Sequence, residues 1–212
     1  MLDNLHWLGH SSFRLEGLKT IYFDPINLPK KSPKADIILI THDHNDHYSL
    51  PDLKIICASH SFIVTDNSVA KRLSKEKLPC KEIKALAPGD YIDVYGVKIN
   101  AVSSYNINKQ FHTRESKKLG FIVTTDGIKI YHAGDTDETP QMKDYECDIA
   151  LMPVSGTYVM TARQAAHAAL TIKPKVAIPM HYGSIAGSER DAIRFKDLLR
   201  GRIDVRILTK ES

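Results

Sequence analysis

The sequence predicts an α/β or α+β layered domain in which helices pack outside two sheets. Three observations support this class. The first half of the 212-residue chain is rich in short alternating apolar runs, the second half alternates strand patterns with helix patterns, and 42% of the residues are apolar. That apolar content is enough for one substantial core. We therefore expect a single domain over residues 1–212.

The first half contains the strands that open the predicted sheet, followed by two helices. Apolar–polar alternation predicts three antiparallel strands, and a continuous apolar run predicts a buried fourth strand. Asp66 and Asn67 are candidate N-caps for the second helix. In chain order, the predicted elements are strands at 5–8, 12–16, 20–23 and 36–40, a helix at 50–58, a strand at 62–65 and a helix at 68–75.

The second half begins with strands and then alternates strands with helices. Asp126-Gly127 between two apolar runs is the strongest short signal for a β-hairpin. Thr161 and Ser188 are candidate N-caps. The predicted elements are strands at 82–85, 91–95, 98–103, 120–124, 129–132 and 148–153, a helix at 162–170, a strand at 176–180, a helix at 189–199 and a strand at 205–208.

Composition narrows the classes of function and location. The chain has 29 Lys and Arg against 25 Asp and Glu, with no concentrated basic stripe, so a nucleic acid partner is not indicated. No apolar run approaches the ~20 residues of a membrane span, and the N-terminal residues lack a signal-peptide layout. The three widely spaced cysteines form no disulfide framework, which favours the cytoplasm. The oligomeric state is left open.

A dense polar segment follows the buried fourth strand. Residues 41–47 read THDHNDH, which brings three imidazoles and two carboxylates together. Neutral imidazole nitrogen and carboxylate oxygen are preferred ligands of zinc and similar divalent ions. A coil with His42 and His44 on one side and Asp46 and His47 on the other could hold two ions close together.

Two further polar groups directly follow apolar strands. Asp135 comes after Gly134 at the end of the strand at 129–132, and His181 follows the strand at 176–180. Open sheet folds place their sites just past the C-terminal ends of strands. Each group alone is more often structural, but together with residues 41–47 they favour a metal site.

These motifs, in this order, resemble the metallo-β-lactamase superfamily. The similarity rests on HxHxDH at residues 42–47, Gly134-Asp135 and His181, and it covers essentially the whole chain. The segments WLGHSS at 7–12 and FDP at 23–25 are similar to one branch, which holds the ascorbate-phosphate lactonase-like and N-acylphosphatidylethanolamine phospholipase D-like hydrolases. The resemblance implies a four-layer αββα sandwich with the site at one edge, between the two sheets.

The resemblance also implies how the ligands are divided between two divalent metal ions. The matching residues are His42 and His44 for one ion, Asp46, His47 and His181 for the second, and Asp135 as the carboxylate that bridges both. Zinc is the first choice of metal, with manganese and iron as alternatives.

The chain departs from the family pattern between the first motif and the Gly-Asp pair. The family supplies a further His there, where this chain has Asn106, and His112 lies a few residues later. Either His112 completes the first metal site, or Asn106 ligates weakly, or the first site is depleted. His10 and Asp24 are further candidates for contact with metal or substrate, with a structural role as the alternative.

The predicted function is a metal-dependent hydrolase that attacks its substrate with a metal-bound hydroxide. Asp135 would bridge the ions, and Asp46 would ligate and orient the hydroxide, so these two carboxylates are the catalytic candidates. The ligands do not distinguish esters, lactones, amides and phosphodiesters.

The surroundings of the site suggest a small anionic substrate. The loop over residues 103–119 contains Lys109, Arg114, Lys117 and Lys118, which could pair with an anion. In the loop over 156–161, Tyr158 and Met160 either line the entrance or pack in the core. The alternatives are a nuclease or phosphodiesterase acting on nucleic acid, and a non-catalytic metal-binding protein with a depleted first site.

Overall fold

The computed structural model describes residues 2–211, in which thirteen strands form two mixed sheets. The first sheet has the order β1-β2-β3-β4-β5-β6. Its antiparallel half runs from β1 to β3, and its parallel half runs from β3 to β6. The strands are β1 (Leu5–Gly9), β2 (Ser12–Glu16), β3 (Thr20–Phe23), β4 (Ile37–Ile40), β5 (Phe62–Thr65) and β6 (Glu82–Ala85).

The second sheet has seven strands in the order β13-β12-β11-β10-β9-β8-β7. Strands β7 to β10 pair antiparallel, and β10 to β13 pair parallel. The strands are β7 (Tyr91–Val94), β8 (Val97–Ser103), β9 (Leu119–Thr125), β10 (Ile128–His132), β11 (Ile149–Pro153), β12 (Val176–Met180) and β13 (Asp204–Val205).

Four α-helices cover the outer faces of the sheets. Helices α1 (Leu50–Ile56) and α2 (Asn67–Leu73) pack on the first sheet, and α3 (Ala162–Ile172) and α4 (Glu189–Leu199) pack on the second. The layer order is therefore αββα, as expected. None of the described helices is long and apolar enough to cross a membrane.

Strand β4 shows why the first sheet is buried on both faces. Ile37 and Leu39 belong to the core between the sheets, whereas Ile38 and Ile40 belong to the cluster under α1 and α2. All four side chains are fully buried. The continuous apolar run in the sequence thus has the length and composition of a strand covered by layers on both sides.

The predicted hairpin and three predicted caps, Asp66, Thr161 and Ser188, are confirmed. Asp126 and Gly127 have φ values of 51° and 74°, which are those of a type I′ turn between β9 and β10. The Asp66 carboxylate accepts the Val69 N–H, and the Thr161 hydroxyl accepts the N–H of the third residue of α3. Asn67 is the first residue of its helix rather than the cap.

The predicted last strand exists, but its predicted extent over residues 205–208 is wrong. The last strand, β13, ends at Val205, because the chain then leaves the second sheet and crosses to the first. Arg206 N–H still donates to the Ala177 carbonyl, but Glu211 N–H donates to the Trp7 carbonyl in β1. The alternation of apolar and polar residues therefore lies in a connection between the sheets whose residues are mostly exposed.

Candidate metal centre

Three polar loops meet at one end of the sandwich. One follows β4 and carries residues 42–47, one follows β10 and carries Asp135, and one follows β12 and carries His181. Gly134 is required in the second loop, since its φ is 63° and a Cβ there would lie 2.6 Å from the Leu119 carbonyl oxygen. The loops come from both sheets, so the site lies across the opening between them.

The first set of side chains, here called the imidazole cluster, consists of His42, His44 and His112. Nε2 of His42 lies 3.1 Å from Nδ1 of His44, and Nε2 of His112 lies 3.0 Å from the same atom. These three ligand atoms lie within 4.8 Å of one another, which is compact enough to hold one metal ion.

The second set, here called the mixed cluster, consists of His10, Asp46, His47 and His181, whose ligand atoms also lie within 4.8 Å of one another. Oδ2 of Asp46 is 3.8 Å from Nε2 of His47 and 3.7 Å from Nε2 of His181. His10 Nε2 is hydrogen-bonded to the same carboxylate oxygen at 3.1 Å.

The Asp135 carboxylate lies between the two clusters. Its Oδ2 is 3.6 Å from Nε2 of His112 and 3.2 Å from Nε2 of His181, so one oxygen faces both clusters. Its Oδ1 lies 3.0 Å from Nε2 of His47. A carboxylate in this position can contribute an oxygen to either cluster or to both.

The donor atoms in the interior fit a divalent metal ion. His47 Nε2, His181 Nε2 and Asp135 Oδ1 are among the buried polar atoms that have no hydrogen-bond partner within the described residues. His47 Nε2 and Asp135 Oδ1 are close, but they are not aligned for a hydrogen bond. Buried polar atoms left unpaired cost about 1–3 kcal/mol each, and a cation would satisfy all three.

Partners behind the imidazoles fix the ring orientation. Nδ1 of His47 is 2.6 Å from the fully buried Asp24 carboxylate, and Nδ1 of His181 is 2.9 Å from the Ser155 hydroxyl. The Thr41 hydroxyl lies 2.9 Å from Nδ1 of His42. In each case Nε2 faces the cluster, the usual arrangement of supported metal-binding histidines. Asp24 therefore contacts a candidate ligand from behind and lies outside both clusters.

Asn106 lies beside the imidazole cluster and outside it. Its Nδ2 donates to the carbonyls of Phe111 and Tyr158 at 2.9 and 2.7 Å, and its backbone N–H donates to the His112 carbonyl at 2.7 Å. This amide thus connects the segment that carries His112 to the loop that carries Tyr158.

Charges inside the centre shift the pKa values of its buried groups. Burial raises the pKa of the Asp135 carboxyl, but His47 and His181 outweigh burial and hold that pKa well below its usual range. Burial lowers the pKa of His47, but the carboxylates of Asp135 and Asp24 outweigh it and raise that pKa well above its usual value.

The other imidazoles are shifted in the opposite direction. Burial lowers the pKa of His10 and His112, and lowers that of His42 well below its ordinary value. Burial also raises the pKa of Asp46, but the hydrogen bond from His10 and the charge of His47 bring it down to about 2. At neutral pH these groups are in the forms that a metal ion requires, neutral imidazole and ionised carboxylate.

Four residues of the site adopt left-handed backbone conformations. The φ values are 52° at His10, 42° at Asp24, 55° at His112 and 60° at His181. Such conformations cost L-residues about 1–2 kcal/mol each, and His and Asp tolerate them better than most residues. A hydrogen bond from the His181 N–H to the His10 carbonyl ties two of these positions together.

A cavity of about 350 Å³ opens onto the centre. Three apolar side chains, here called the apolar rim, lie around it: Phe111, Tyr158 and Ile185. The rings of the first two meet edge to face, with centroids 5.2 Å apart. Met160, the other entrance candidate of its loop, is fully buried in the core. The remaining lining residues are His44, Asn45, Asp46, His112 and Asp135.

The basic residues expected to pair with an anionic substrate lie elsewhere. Lys109 forms an ion pair with Asp137, and Lys118 forms one with Asp43. The Arg114 guanidinium lies over an aromatic ring. Among the described residues, no lysine or arginine lines the cavity. The expected pairing with substrate is therefore not supported, because acidic groups from other segments already neutralise the two lysines.

Sequence reasoning missed two supporting hydroxyls and two rim residues. Thr41 precedes the motif directly, and its position beside His42 was a usable signal. Ser155 lies 26 residues before His181, so only the fold brings them together. Ile185 lies between two glycines just after a candidate ligand, a pattern that could have marked a loop at the site. No comparable signal distinguishes Phe111.

Comparison with known proteins gives a family match over most of the chain. The family described as the β-lactamase superfamily domain matches residues 4–181. This range includes every side chain of the imidazole cluster, the mixed cluster and Asp135.

Individual relatives match the chain over nearly its full length. A UPF0173 metal-dependent hydrolase of Thermococcus kodakarensis is 33% identical over 214 residues, covering 95% of this chain and 94% of that protein. Another from Thermoplasma acidophilum is 34% identical over 213 residues, covering 93% and 92%. A crystal structure from Parabacteroides distasonis, assigned as a metal-dependent hydrolase, has a TM-score of 0.86 and 35% identity, covering 98% and 93%.

Proposed function

Since this chain belongs to the β-lactamase superfamily and is a metal-dependent hydrolase, we propose that its active site uses two divalent metal ions. The observation that carries the proposal is the position of Asp135. One oxygen of this carboxylate lies within 4 Å of imidazoles from both the imidazole cluster and the mixed cluster. A single ion would leave one of these compact donor sets without a cation.

The proposed ligand sets follow the two clusters, except that His10 holds the Asp46 carboxylate and is not itself a ligand. The residues are His42, His44 and His112 for the first ion, Asp46, His47 and His181 for the second, and Asp135 as the bridge between them. The contact of His112 with His44 supports the first of the three alternatives for that site, and the hydrogen bonds of Asn106 support a positioning role. The compact arrangement of these three imidazoles supports a complete first site over a depleted one.

When bound, the ions would lower the pKa of a water molecule towards neutrality and polarise the bond under attack. The Asp46 carboxylate, ionised at neutral pH, lies at the cavity and is held by His10, so it can orient that water and receive a proton. Asp24 holds His47 with Nε2 directed into the centre. No serine or cysteine nucleophile is needed.

The bond hydrolysed is an ester, lactone or phosphodiester bond of a small molecule. Zinc is the ion proposed first, because imidazole and carboxylate oxygen suit it, with manganese and iron as alternatives. Nucleases need cationic side chains that contact phosphate groups, and no Lys or Arg belongs to the described lining. The lining therefore does not support a nuclease. We also propose a cytoplasmic location, where the free thiols of the three cysteines would persist.

Metal analysis joined to activity tests this proposal. The protein is stripped with a chelator, reloaded with zinc, and assayed on p-nitrophenyl acetate and bis(p-nitrophenyl) phosphate. We expect close to two equivalents of zinc per chain, and turnover that is lost on stripping and restored on reloading. Full turnover at one equivalent, or turnover insensitive to the chelator, would contradict it.

Replacing Asp24 tests the support behind His47. We expect Asp24→Asn to weaken binding of one of the two ions by about 10–100-fold, the usual effect of removing a carboxylate behind a metal-binding imidazole. The measurement is competition with a chromophoric zinc chelator. The matched control is Asp36→Asn, which alters a carboxylate that accepts the Thr20 N–H away from the centre. Equal zinc affinity in the two variants would show that Asp24 has only a structural role.

A further inference from the structure

The apolar rim defines what kind of substrate this site accepts. We propose that the substrate is an uncharged carboxylic ester or lactone whose apolar ring or short alkyl chain binds against Phe111, Tyr158 and Ile185. The inference rests on the proposed function and narrows it. In the reaction, the water oxygen forms a bond to the carbonyl carbon, the bond from that carbon to the alcohol oxygen breaks, and the alcohol leaves with a proton from that water.

The exposure of the rim is the first argument. Phe111 is 52% exposed, Tyr158 39% and Ile185 61%, so all three present a large apolar surface to solvent. Single exposed apolar residues are ordinary on protein surfaces and need no explanation. Here three of them surround one concave site that also contains candidate metal ligands, which is typical of a ligand-binding pocket.

The rim is held in a defined position relative to the candidate ligands. Its members come from three separate connections, β8–β9, β11–α3 and β12–α4. The Asn106 side chain donates to the carbonyls of both Phe111 and Tyr158, and its backbone N–H donates to the carbonyl of His112. Two rim residues are thus fastened beside a candidate ligand, so an apolar group bound there would be oriented towards the centre.

The charges of the lining argue for an uncharged substrate. Within the described residues, no lysine or arginine lines the cavity, and its two carboxylates, Asp46 and Asp135, belong to the candidate metal ligands. Lys109 and Lys118 are paired with Asp137 and Asp43 outside the cavity. An acidic group on the chain of the substrate would therefore lose hydration beside the apolar rim without gaining a cationic side chain as a partner.

The size of the cavity limits the bound group. A volume of about 350 Å³ lies at the lower end of the range for small-molecule sites, roughly 300–1,000 Å³. One ring or a chain of a few carbons, together with the ester group, fits that space, whereas a polymer does not.

Three esters with the same leaving group provide the test on the zinc-loaded enzyme: p-nitrophenyl acetate, p-nitrophenyl hexanoate and the mono-p-nitrophenyl ester of adipic acid. We expect kcat/KM for the hexanoate to exceed that for the acetate by about tenfold or more, because part of the longer alkyl chain is buried against the apolar rim on binding. The adipate ester has the same chain length with a terminal carboxylate, and we expect it to react about tenfold more slowly than the hexanoate.

Variants of the rim test the assignment to these side chains. Phe111→Ala and Ile185→Ala are expected to reduce the hexanoate-to-acetate ratio by about fivefold, in line with the loss of apolar contact area. The matched controls are Ile107→Ala, in the same loop as Phe111, and Ile193→Ala on α4. Both isoleucines are more than 50% exposed and lie outside the cavity, so the ratio should stay at the wild-type value.

Binding of non-hydrolysed ligands gives a readout that does not depend on turnover. Calorimetry on the zinc-loaded protein would compare acetohydroxamic acid with hexanohydroxamic acid. We expect the longer ligand to bind about tenfold more tightly to the wild type, and the difference to shrink in Phe111→Ala.

The outcomes separate the two proposals. Equal reactivity of the acetate and hexanoate esters, or a preference for the adipate ester, would overturn the substrate inference, while chelator-sensitive turnover would leave the proposed function standing. If no ester or phosphodiester is hydrolysed, the proposed function fails. The hydroxamate affinities then still decide whether the rim binds apolar groups.

Discussion

Asp135→Asn is expected to lower kcat/KM by about a thousandfold or more and to reduce bound zinc below two equivalents per chain. The amide keeps the shape of the side chain but loses its negative charge. The carboxylate lies within 4 Å of Nε2 of His42, His47, His112 and His181, so it is close to candidate ligands of both clusters. Metal analysis and steady-state kinetics on one preparation measure both effects.

A matched aspartate controls for general damage to the fold. Asp148 precedes β11, accepts the Lys129 N–H and pairs with Lys175 on the surface, away from the centre. Asp148→Asn should therefore retain two equivalents of zinc and wild-type turnover. If Asp135→Asn kept two equivalents and activity within tenfold of the wild type, a bridging role for this carboxylate would be excluded.

The second large effect is expected at His112. His112→Ala removes one of the three imidazoles of the imidazole cluster, so we expect the zinc content to fall from about two equivalents to about one. We expect kcat/KM to fall by about a hundredfold or more, since one ion no longer polarises the substrate. The control is His167→Ala, because His167 is an exposed histidine paired with Glu138 on the surface. Unchanged stoichiometry and kinetics would remove His112 from the centre.

The variant Asn106→Asp decides between a ligand and a positioning role for Asn106. A carboxylate is a better metal ligand than an amide, so it would strengthen metal binding if position 106 contacted the first ion. If the Asn106 amide instead holds the loops, the substitution sets a carboxylate oxygen against the carbonyls of Phe111 and Tyr158. We expect Asn106 to have this positioning role. Asn106→Asp should then weaken zinc binding and lower the free energy of unfolding by a few kcal/mol at most.

Much of the fold and of the two clusters could be predicted from the sequence, because the relevant signals are local. The buried run of β4, the Asp126-Gly127 turn and the polar groups that directly follow strands are all contained in short segments. A strand end fixes the position of the residue that follows it, so His42, Asp135 and His181 could be expected near one another before any contact was known.

The role of position 106 and the nature of the substrate depend on contacts that the sequence does not encode locally. The Asn106 side chain is held by hydrogen bonds to backbone carbonyls, and one of them, that of Tyr158, lies 52 residues away in the sequence. The sequence does not show whether Lys118 pairs with a substrate or with an acidic side chain of the protein. Only the fold brings it to Asp43, which lies 75 residues away. Loops lack the regular apolar periodicity of helices and strands, so their sequences do not predict which distant residues will pair.

The left-handed backbone at His112 and His181 has a consequence for the evolution of this protein. Both positions favour glycine or asparagine on conformational grounds, and at His181 a buried nitrogen without a hydrogen-bond partner adds to the cost. Mutational drift that selected only for a more stable fold would therefore replace these imidazoles. A screen for stability that ignores activity is therefore expected to select glycine or asparagine at these two positions.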